Sequence, residues 1–526
     1  MTVRPDLNTT IPSLLADAAR RHPRRPALVG RGETLTFERL DFEADRAARA
    51  FLASALEPGE RVAVWAPNMW EWVAAAVGAQ RVGGVLVPLN TRLRGGEIAD
   101  ILRRAQVRCL VSIGPFLGRY YPDMLREESL PDLRRLVVLD GARGDDESWE
   151  SFLAQGDGVA DDLLARRAAA VQPTDVSDIM FTSGTTGRPK GAVFSHERSI
   201  LGGAAWRDIT MVTEEDRLCV FGPFSHNASY KAGWVTGLIA GCAVYWPESY
   251  DAVSILDLIA DNRITAMSAP PTVWLEAHSH PERAKWDISS LRFLSTGATT
   301  IPLELIRRLQ RDFVGTIIST GYGMTECCGS ATQTLAGDPA ERVVHTVGPA
   351  IPGTEVRIVR ADGEIARPGE PGEVLIRDRK LLIEYLDDPV ATREAVDADG
   401  WLHSGDIGTL DEAGYLTITD RLKDMFIVGG FNVYPAEIER QMSGLEGLHA
   451  CAVVGIPDER LGEVGHAFIV RSPGATLTVE QVLAWSKANL ANFKAPRRVS
   501  FVDALPMNAS GKVLKFELRQ MADKLN

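Results

Sequence analysis

Apolar runs of strand length and longer helix-type stretches succeed one another along most of this chain. "RVAVWAP" (from Arg61) predicts a strand, "MWEWVAAAVGAQRVG" (from Met69) a helix, and "GVLVPLN" (from Gly84) the next strand. Further short buried-type strands are predicted at "RRLVVLD", "SDIMFT", "RLCVFGP", "CAVYWP", "ITAMSAP", "LRFLSTG" and "GTIISTGYG", with helices such as "PLELIRRLQRDF" between several of them. This alternation predicts an α/β architecture of largely parallel sheets covered by helices on both faces. In such sheets ligands collect beyond the carboxyl ends of the strands. "SDIMFT", "LRFLSTG" and "GTIISTGYG" each run into a Gly/Ser/Thr cluster, so each can supply a loop to one site.

Past about residue 350 the pattern changes. "GEVLIRD", "GYLTITD" and several Gly/Pro turns predict a β-rich segment. "RLKDMFIVGGFNVYPAEIERQM" then opens a last α+β unit with strands at "HACAVVGIPD" and "VGHAFIVR" and a helix at "TVEQVLAWSKANL". The boundary is expected near Asp420–Asp424, dividing residues 1–420 from residues 421–526. The length, 526 residues, exceeds what one compact core normally serves. Hydrophobic residues at 45% and charged residues at 24% mark a globular chain. With 57 basic against 70 acidic residues, the net charge of −13 argues against nucleic acid or an anionic membrane as a broad partner. The six cysteines show no CxxC and are expected to be free thiols in a reducing cytosol. The start carries no signal-peptide core, and the apolar stretch Gly233–Trp246 is too short to span a bilayer and is expected to be buried core. A cytoplasmic protein without membrane insertion is expected.

Candidate chemistry centres on "FTSGTTGRPKG", Phe181–Gly191. Glycines at 184 and 187 let backbone N–H groups approach an anion, hydroxyls of Thr182, Ser183, Thr185 and Thr186 can donate to phosphate oxygens, and Lys190 adds a cation. The spacing is not that of a P-loop, and no G-x-S-x-G nucleophile elbow occurs. Taken alone, such a loop is as well read as a flexible turn. It has company, however. "STGYGMTE" offers Gly321, Tyr322, Gly323, Thr325 and the carboxylate of Glu326, suited to a purine face and to Mg²⁺ beside phosphates. "WLHSGDIG" is read as a tight turn placing Asp406 to accept ribose hydroxyls, "RLKDMFIVGGFNVYP" adds Arg421, and "NASGKVLK" carries Lys512 on a glycine turn. "HSHPE" (His278–Glu282) lacks a third metal ligand and is expected to be a solvated loop.

In this order, "FTSGTTGRPKG", "GYGMTE", "SGD", "DRLKDMFIVGGFNVYPAEIE" and "NASGKVLK" resemble the adenylate-forming superfamily of acyl-CoA synthetases, luciferase-like enzymes and adenylation domains of peptide synthetases, over nearly the whole chain. "FSHNASYKAG", "RLGEVG" and "LANFKAPR" are most similar to actinobacterial CoA ligases for bulky alicyclic acids of the steroid-derived indane-propionate type.

The resemblance implies ATP, Mg²⁺ and coenzyme A. A carboxylate attacks the α-phosphate, pyrophosphate leaves, and the CoA thiol then displaces AMP. By the same resemblance, residues Thr182, Ser183, Gly184, Thr185, Thr186, Gly187 and Lys190 hold the β- and γ-phosphates, and Thr325 and Glu326 meet the α-phosphate and Mg²⁺. Gly297, Ala298 and Tyr322 flank adenine, Gly321 and Gly323 belong to the same ATP site, Asp406 and Arg421 hold ribose, and Lys512 bridges carboxylate and phosphate oxygens. A mobile C-terminal domain hinged at Lys423 brings Gly429, Gly430 and Phe431 to a pantetheine tunnel. His226 falls where the family has a gate near the acyl carboxylate, a packed histidine at a strand end being the other reading. His226, Asn227, Ala228 and Gly321 line the acyl pocket, and small residues at Ser225, Ala228 and Ser229 are expected to enlarge it for a polycyclic, steroid- or terpenoid-derived acid. Two alternatives stay open: an enzyme that stops at acyl-AMP and relies on a partner ligase or carrier protein, expected as a separate chain because no carrier segment follows Asn526, and a non-catalytic nucleotide-binding relative. A homo-oligomer is also compatible.

Overall fold

The structure, a computed structural model, describes residues 8–182, 189–297, 301–421, 424–428, 431–507 and 513–525, with the backbone alone described for 420, 421, 431, 432 and 525. It divides into two compact units: Met1–Glu355 with Ile376–Leu402, and Val356–Leu375 with His403–Asn526.

Two α/β sheets organise the first unit. One has eight strands in the order Glu384–Tyr385, Lys190–Ser195, Val176–Thr182, Val85–Pro88, Arg61–Trp65, Val107–Ser112, Arg135–Val138 and Glu147–Ser148. Its pairings are parallel from Val176–Thr182 onward and antiparallel at the two edge ladders before it. The other has seven, Ile317–Ser319, Phe293–Ser295, Ala266–Ser268, Arg217–Val220, Ala243–Tyr245, Pro26–Gly30 and Glu33–Thr36, parallel except for the last pair. The strand interiors are buried apolar runs because helices cover these sheets. Trp72 packs edge-on to Phe224 and Trp234, and Tyr230 stacks on Trp234 with centroids 4.8 Å apart. The apolar stretch from Gly233 is buried as expected, but as three pieces: the end of a π-helical turn Tyr230–Val235, the helix Thr236–Ala240 and the strand Ala243–Tyr245. No helix among the described residues is long and apolar enough to cross a membrane.

In the second unit the long hairpin Leu448–Asp458/Gly462–Arg471 is covered on both faces from within. Period-two alternation sorts its residues. Val453, Ala467 and Ile469 join Ile438, Met442 and Val482 in one core, while Ala452, Val454 and Phe468 join Leu518 and Ala522 in another. A four-stranded sheet, Glu355–Val359, Gly372–Arg377, Leu402–Leu410 and Leu416–Arg421, precedes it in the chain.

All six thiols are unpaired; five are buried and Cys451 is half-buried. The "HSHPE" segment divides: His278 and Ser279 end the helix Pro271–Ser279, with His278 Nε2 3.2 Å from Asp312 Oδ2, while His280–Glu282 form the expected loop.

His196 is buried and accepts from the Ile11 N–H at Nδ1 (3.3 Å); burial lowers its pKa to about 4. The unfolded chain therefore binds a proton near pH 6.5 that the folded chain refuses until about pH 4, so this site's stabilisation is lost as pH falls through that window. His196→Asn keeps an acceptor and removes the titration. Its thermal midpoint is expected to fall less steeply than the wild-type value between pH 6.5 and 4, read by circular dichroism melts.

Candidate active site

The glycine-rich segment joins the strands Val176–Thr182 and Lys190–Ser195, which pair antiparallel with Thr182 opposite Lys190. Both ends of the segment are thus fixed by the same ladder. Ser183, Gly184, Thr185, Thr186 and Gly187 lie outside the described residues. Beyond them, the Pro189 carbonyl accepts from Arg104 Nη1 at 2.6 Å, and the same guanidinium lies over the Phe181 ring at 5.4 Å.

Glu326 comes from the 3₁₀ turn Thr325–Cys327. Its Oε1 accepts from Tyr385 O–H at 2.8 Å and, more weakly, from Thr182 Oγ1 at 3.5 Å. Lys190 Nζ lies 4.9 Å from the centre of the Tyr385 ring. Burial first, and the Glu326 carboxylate second, hold the Tyr385 phenol far above its ordinary pKa, so it stays a donor. The Glu326 carbonyl accepts from Leu382 N–H, and Arg198 Nη1 donates to the Leu381 and Leu382 carbonyls. These bonds bring one carboxylate, one hydroxyl, one ammonium and one phenol together at the end of the glycine-rich hairpin.

The loops expected to flank adenine leave the seven-stranded sheet. Thr296 N–H donates to the Ser319 carbonyl, setting Gly297 beside Thr320, while the buried Thr296 hydroxyl has no partner among the described residues. Ala298 lies outside the described residues. Gly321–Tyr322 pairs with Thr332–Gln333. A Cβ on Gly321 would meet the Thr332 carbonyl at 2.6 Å, and one on Gly323 would meet the Gly329 carbonyl at 1.6 Å. The chain's own crossing therefore demands both glycines, before any ligand is considered. Tyr322, between them, is half-buried.

The segment expected to line an acyl pocket begins at His226, which caps the short helix Asn227–Ser229: its Nδ1 accepts from Ala228 N–H at 3.2 Å. The ring reaches solvent, yet protein packs densely around it and lowers its pKa, leaving it neutral at neutral pH. Asn227 is buried with neither amide atom bonded to a described residue, and Ala228 is exposed. Asn68 bridges the Gly222 carbonyl and the Phe224 N–H, anchoring the approach to His226.

In the second unit, Asp406 is buried and lies inside the strand Leu402–Leu410, not in the tight turn expected from "SGD". Gly405, at φ 69°, lets the chain stay in the sheet with a local twist. The ladder sets the Arg421 backbone opposite Asp406; the Arg421 and Phe431 side chains, and Lys423, Gly429, Gly430 and Lys512 altogether, lie outside the described residues.

Sequence reasoning missed Tyr385, Arg104 and Arg198, which belong to no motif. It also missed Lys231, although a charge inside an apolar run, as with Asp178 in "SDIMFT", was a usable signal.

The AMP-binding enzyme model matches residues 15–386, and the AMP-binding enzyme C-terminal domain model matches residues 437–512. The chain belongs to the AMP-binding enzyme family. It is 44% identical over 512 residues to "3-[(3aS,4S,7aS)-7a-methyl-1,5-dioxo-octahydro-1H-inden-4-yl]propanoyl:CoA ligase" of Mycobacterium tuberculosis, covering 97% of this chain and 99% of the relative. The protein of the same name from Rhodococcus jostii is 44% identical over 529 residues, covering 99% of each. An anthranilate CoA ligase crystallised with anthranoyl-AMP superposes with a TM-score of 0.87 at 25% identity, covering 99% of this chain and 98% of that one. The chain is an acid–CoA ligase of the adenylate-forming type, which uses ATP and coenzyme A.

Tyr385→Phe removes the shorter of the two hydrogen bonds to Glu326 Oε1. Losing a bond to a charged group corresponds to roughly a tenfold or greater fall in kcat/KM for ATP. Pyrophosphate release measured over a Mg²⁺ titration checks this, with the thermal midpoint expected to move little.

Proposed function

We propose that this acid–CoA ligase activates a bulky alicyclic carboxylic acid of the methyl-dioxo-indane propionate class. The observation that carries the proposal is the near full-length identity to two ligases named for that acid. The small residues Ser225, Ala228 and Ser229 beside His226 support it.

The residues present suit ATP. A glycine-rich hairpin closed by Lys190, the Thr296 hydroxyl without a described partner, and the Glu326 carboxylate are the polar groups such a ligand needs. They suit Mg²⁺ as well. Among the described residues no cluster of three or more His, Cys, Asp or Glu could hold a metal, and Mg²⁺ is ordinarily held by one or two carboxylates together with substrate phosphates and water. Glu326 is assigned that role. Bound there, Mg²⁺ supplies positive charge to the phosphate oxygens.

In the first half-reaction a carboxylate oxygen bonds to the α-phosphorus while the bond from that phosphorus to the bridging oxygen of pyrophosphate breaks. Stabilisation is electrostatic and pre-organised. Ser183–Gly187 with Lys190 are assigned to the β- and γ-phosphates, Thr325 to the α-phosphate, Gly297, Ala298 and Tyr322 to adenine, Gly321 and Gly323 to the same ATP site, Asp406 and Arg421 to ribose, and Lys512 to the oxygens at the reacting phosphorus. In the second, the CoA sulfur bonds to the acyl carbon, the carbon–oxygen bond to AMP breaks, and the thiol proton is lost to solvent. Gly429, Gly430 and Phe431 are assigned to the pantetheine path and Lys423 to the hinge of a mobile 421–526 domain. His226 is assigned as a ring that gates the acyl carboxylate, a role that requires no titration.

The deciding experiment supplies ATP, Mg²⁺ and a panel of acids that includes the dioxo-indane propionic acid, with and without CoA, and measures pyrophosphate, acyl-AMP and thioester separately. Thioester formed with that acid and CoA is expected. Pyrophosphate without thioester would leave an adenylating enzyme that needs a partner, and no pyrophosphate with any acid would leave a non-catalytic relative. Lys512→Ala is expected to slow adenylation by roughly 10²–10³-fold. Ala228→Phe is expected to spare short acids and exclude polycyclic ones; equal loss for both refutes the enlarged pocket.

A further inference from the structure

Lys231 is wholly buried, and so is its partner: Nζ lies 3.1 Å from Asp178 Oδ2, with both side chains at 0% exposure. The ammonium also lies 3.3 Å from the centre of the Phe194 ring and 3.6 Å from Cys328 Sγ. The other Asp178 oxygen accepts from Ser177 Oγ (2.6 Å), Ser199 Oγ (2.7 Å) and Tyr230 O–H (3.1 Å), and Gln80 Nε2 donates to that phenol.

A buried ion pair of this kind adds little net stability, since apolar side chains of equal volume commonly serve as well or better. What it adds is direction, and here the directions are informative. Asp178 lies on the strand that ends at Thr182. Phe194 lies on the strand that begins at Lys190. Cys328, at φ 55°, closes the turn that presents Glu326. Lys231 itself lies two residues after Ser229, in the π-helical turn Tyr230–Val235, a form that inserts one extra residue and frequently marks functional sites. One ammonium therefore touches the phosphate hairpin and the carboxylate turn, and its own backbone continues from the acyl segment.

We propose that Lys231, paired with Asp178, is a positioning residue for adenylation that holds these three segments in one register. The inference rests on the acid–CoA ligase reading, and deepens it by separating the two half-reactions. Adenylation needs Thr182, Lys190 and Glu326 aligned with the acyl carboxylate. Thioester formation from ready-made acyl-AMP no longer involves the β- and γ-phosphates.

The test uses the full chain with the dioxo-indane propionic acid. Lys231→Met is expected to slow pyrophosphate release by roughly ten- to a hundred-fold, the scale of a misplaced reacting group. Thioester formation from supplied acyl-AMP and CoA is expected to change by less than about threefold. The double variant Asp178→Asn/Lys231→Met removes both charges and is expected to melt at or above the midpoint of Lys231→Met while adenylation stays slow; it also serves as the readout if the single variant does not fold. Unchanged adenylation, or adenylation and thioester formation falling together and recovering together with the melting midpoint, overturns the proposal. Absence of pyrophosphate from the wild-type chain would instead overturn the ligase reading.

Discussion

Thr182 and Lys190 face each other across the last rung of an antiparallel ladder, and that rung sets the distance between the two ends of the glycine-rich segment. The strand carrying Thr182 is at once the edge of a parallel array, pairing with Val85–Pro88, and half of the hairpin. Tyr385 reaches Glu326 because its own strand pairs with the other half, Ala192 opposite Tyr385. Backbone hydrogen bonds thus deliver hydroxyl, ammonium, phenol and carboxylate to one place, and the side chains only finish what the ladder begins.

The α/β class, the parallel strands and the order of the loops were legible in the sequence because buried strands are continuous apolar runs and Gly/Ser/Thr clusters punctuate them. "RVAVWAP", "RLCVFGP" and "CAVYWP" each contain a strand of the structure, at Arg61–Trp65, Arg217–Val220 and Ala243–Tyr245. Hidden from it were the long-range pairings. Nothing near Tyr385 in "LLIEYLDDP" announces Glu326, and nothing near Arg104 announces the Pro189 carbonyl; only the sheet order joins them. Local rules also misled. "SGD" looks like a turn, yet the glycine at positive φ is absorbed within a strand, because neighbouring strands hold both ends of that stretch.

Some residues of the motifs answer to the fold before any ligand. Gly321 and Gly323 are required by chain crossings that no side chain could pass. Their presence in a motif therefore reports a tight fold as much as a ligand. The ionic pair beneath the hairpin is the opposite case: packing alone does not call for it, and hydroxyls of Ser177, Ser199 and Tyr230 are spent on holding its carboxylate.

The second unit's long hairpin divides its side chains between two cores, one against Ile438, Met442 and Val482 and the other against Leu518 and Ala522. A block whose sheet is clothed by its own helices asks little hydrophobic support from elsewhere. Changes in the wall around His226 can therefore accumulate without retuning that block, and the two portions of such an enzyme are free to diverge at different speeds.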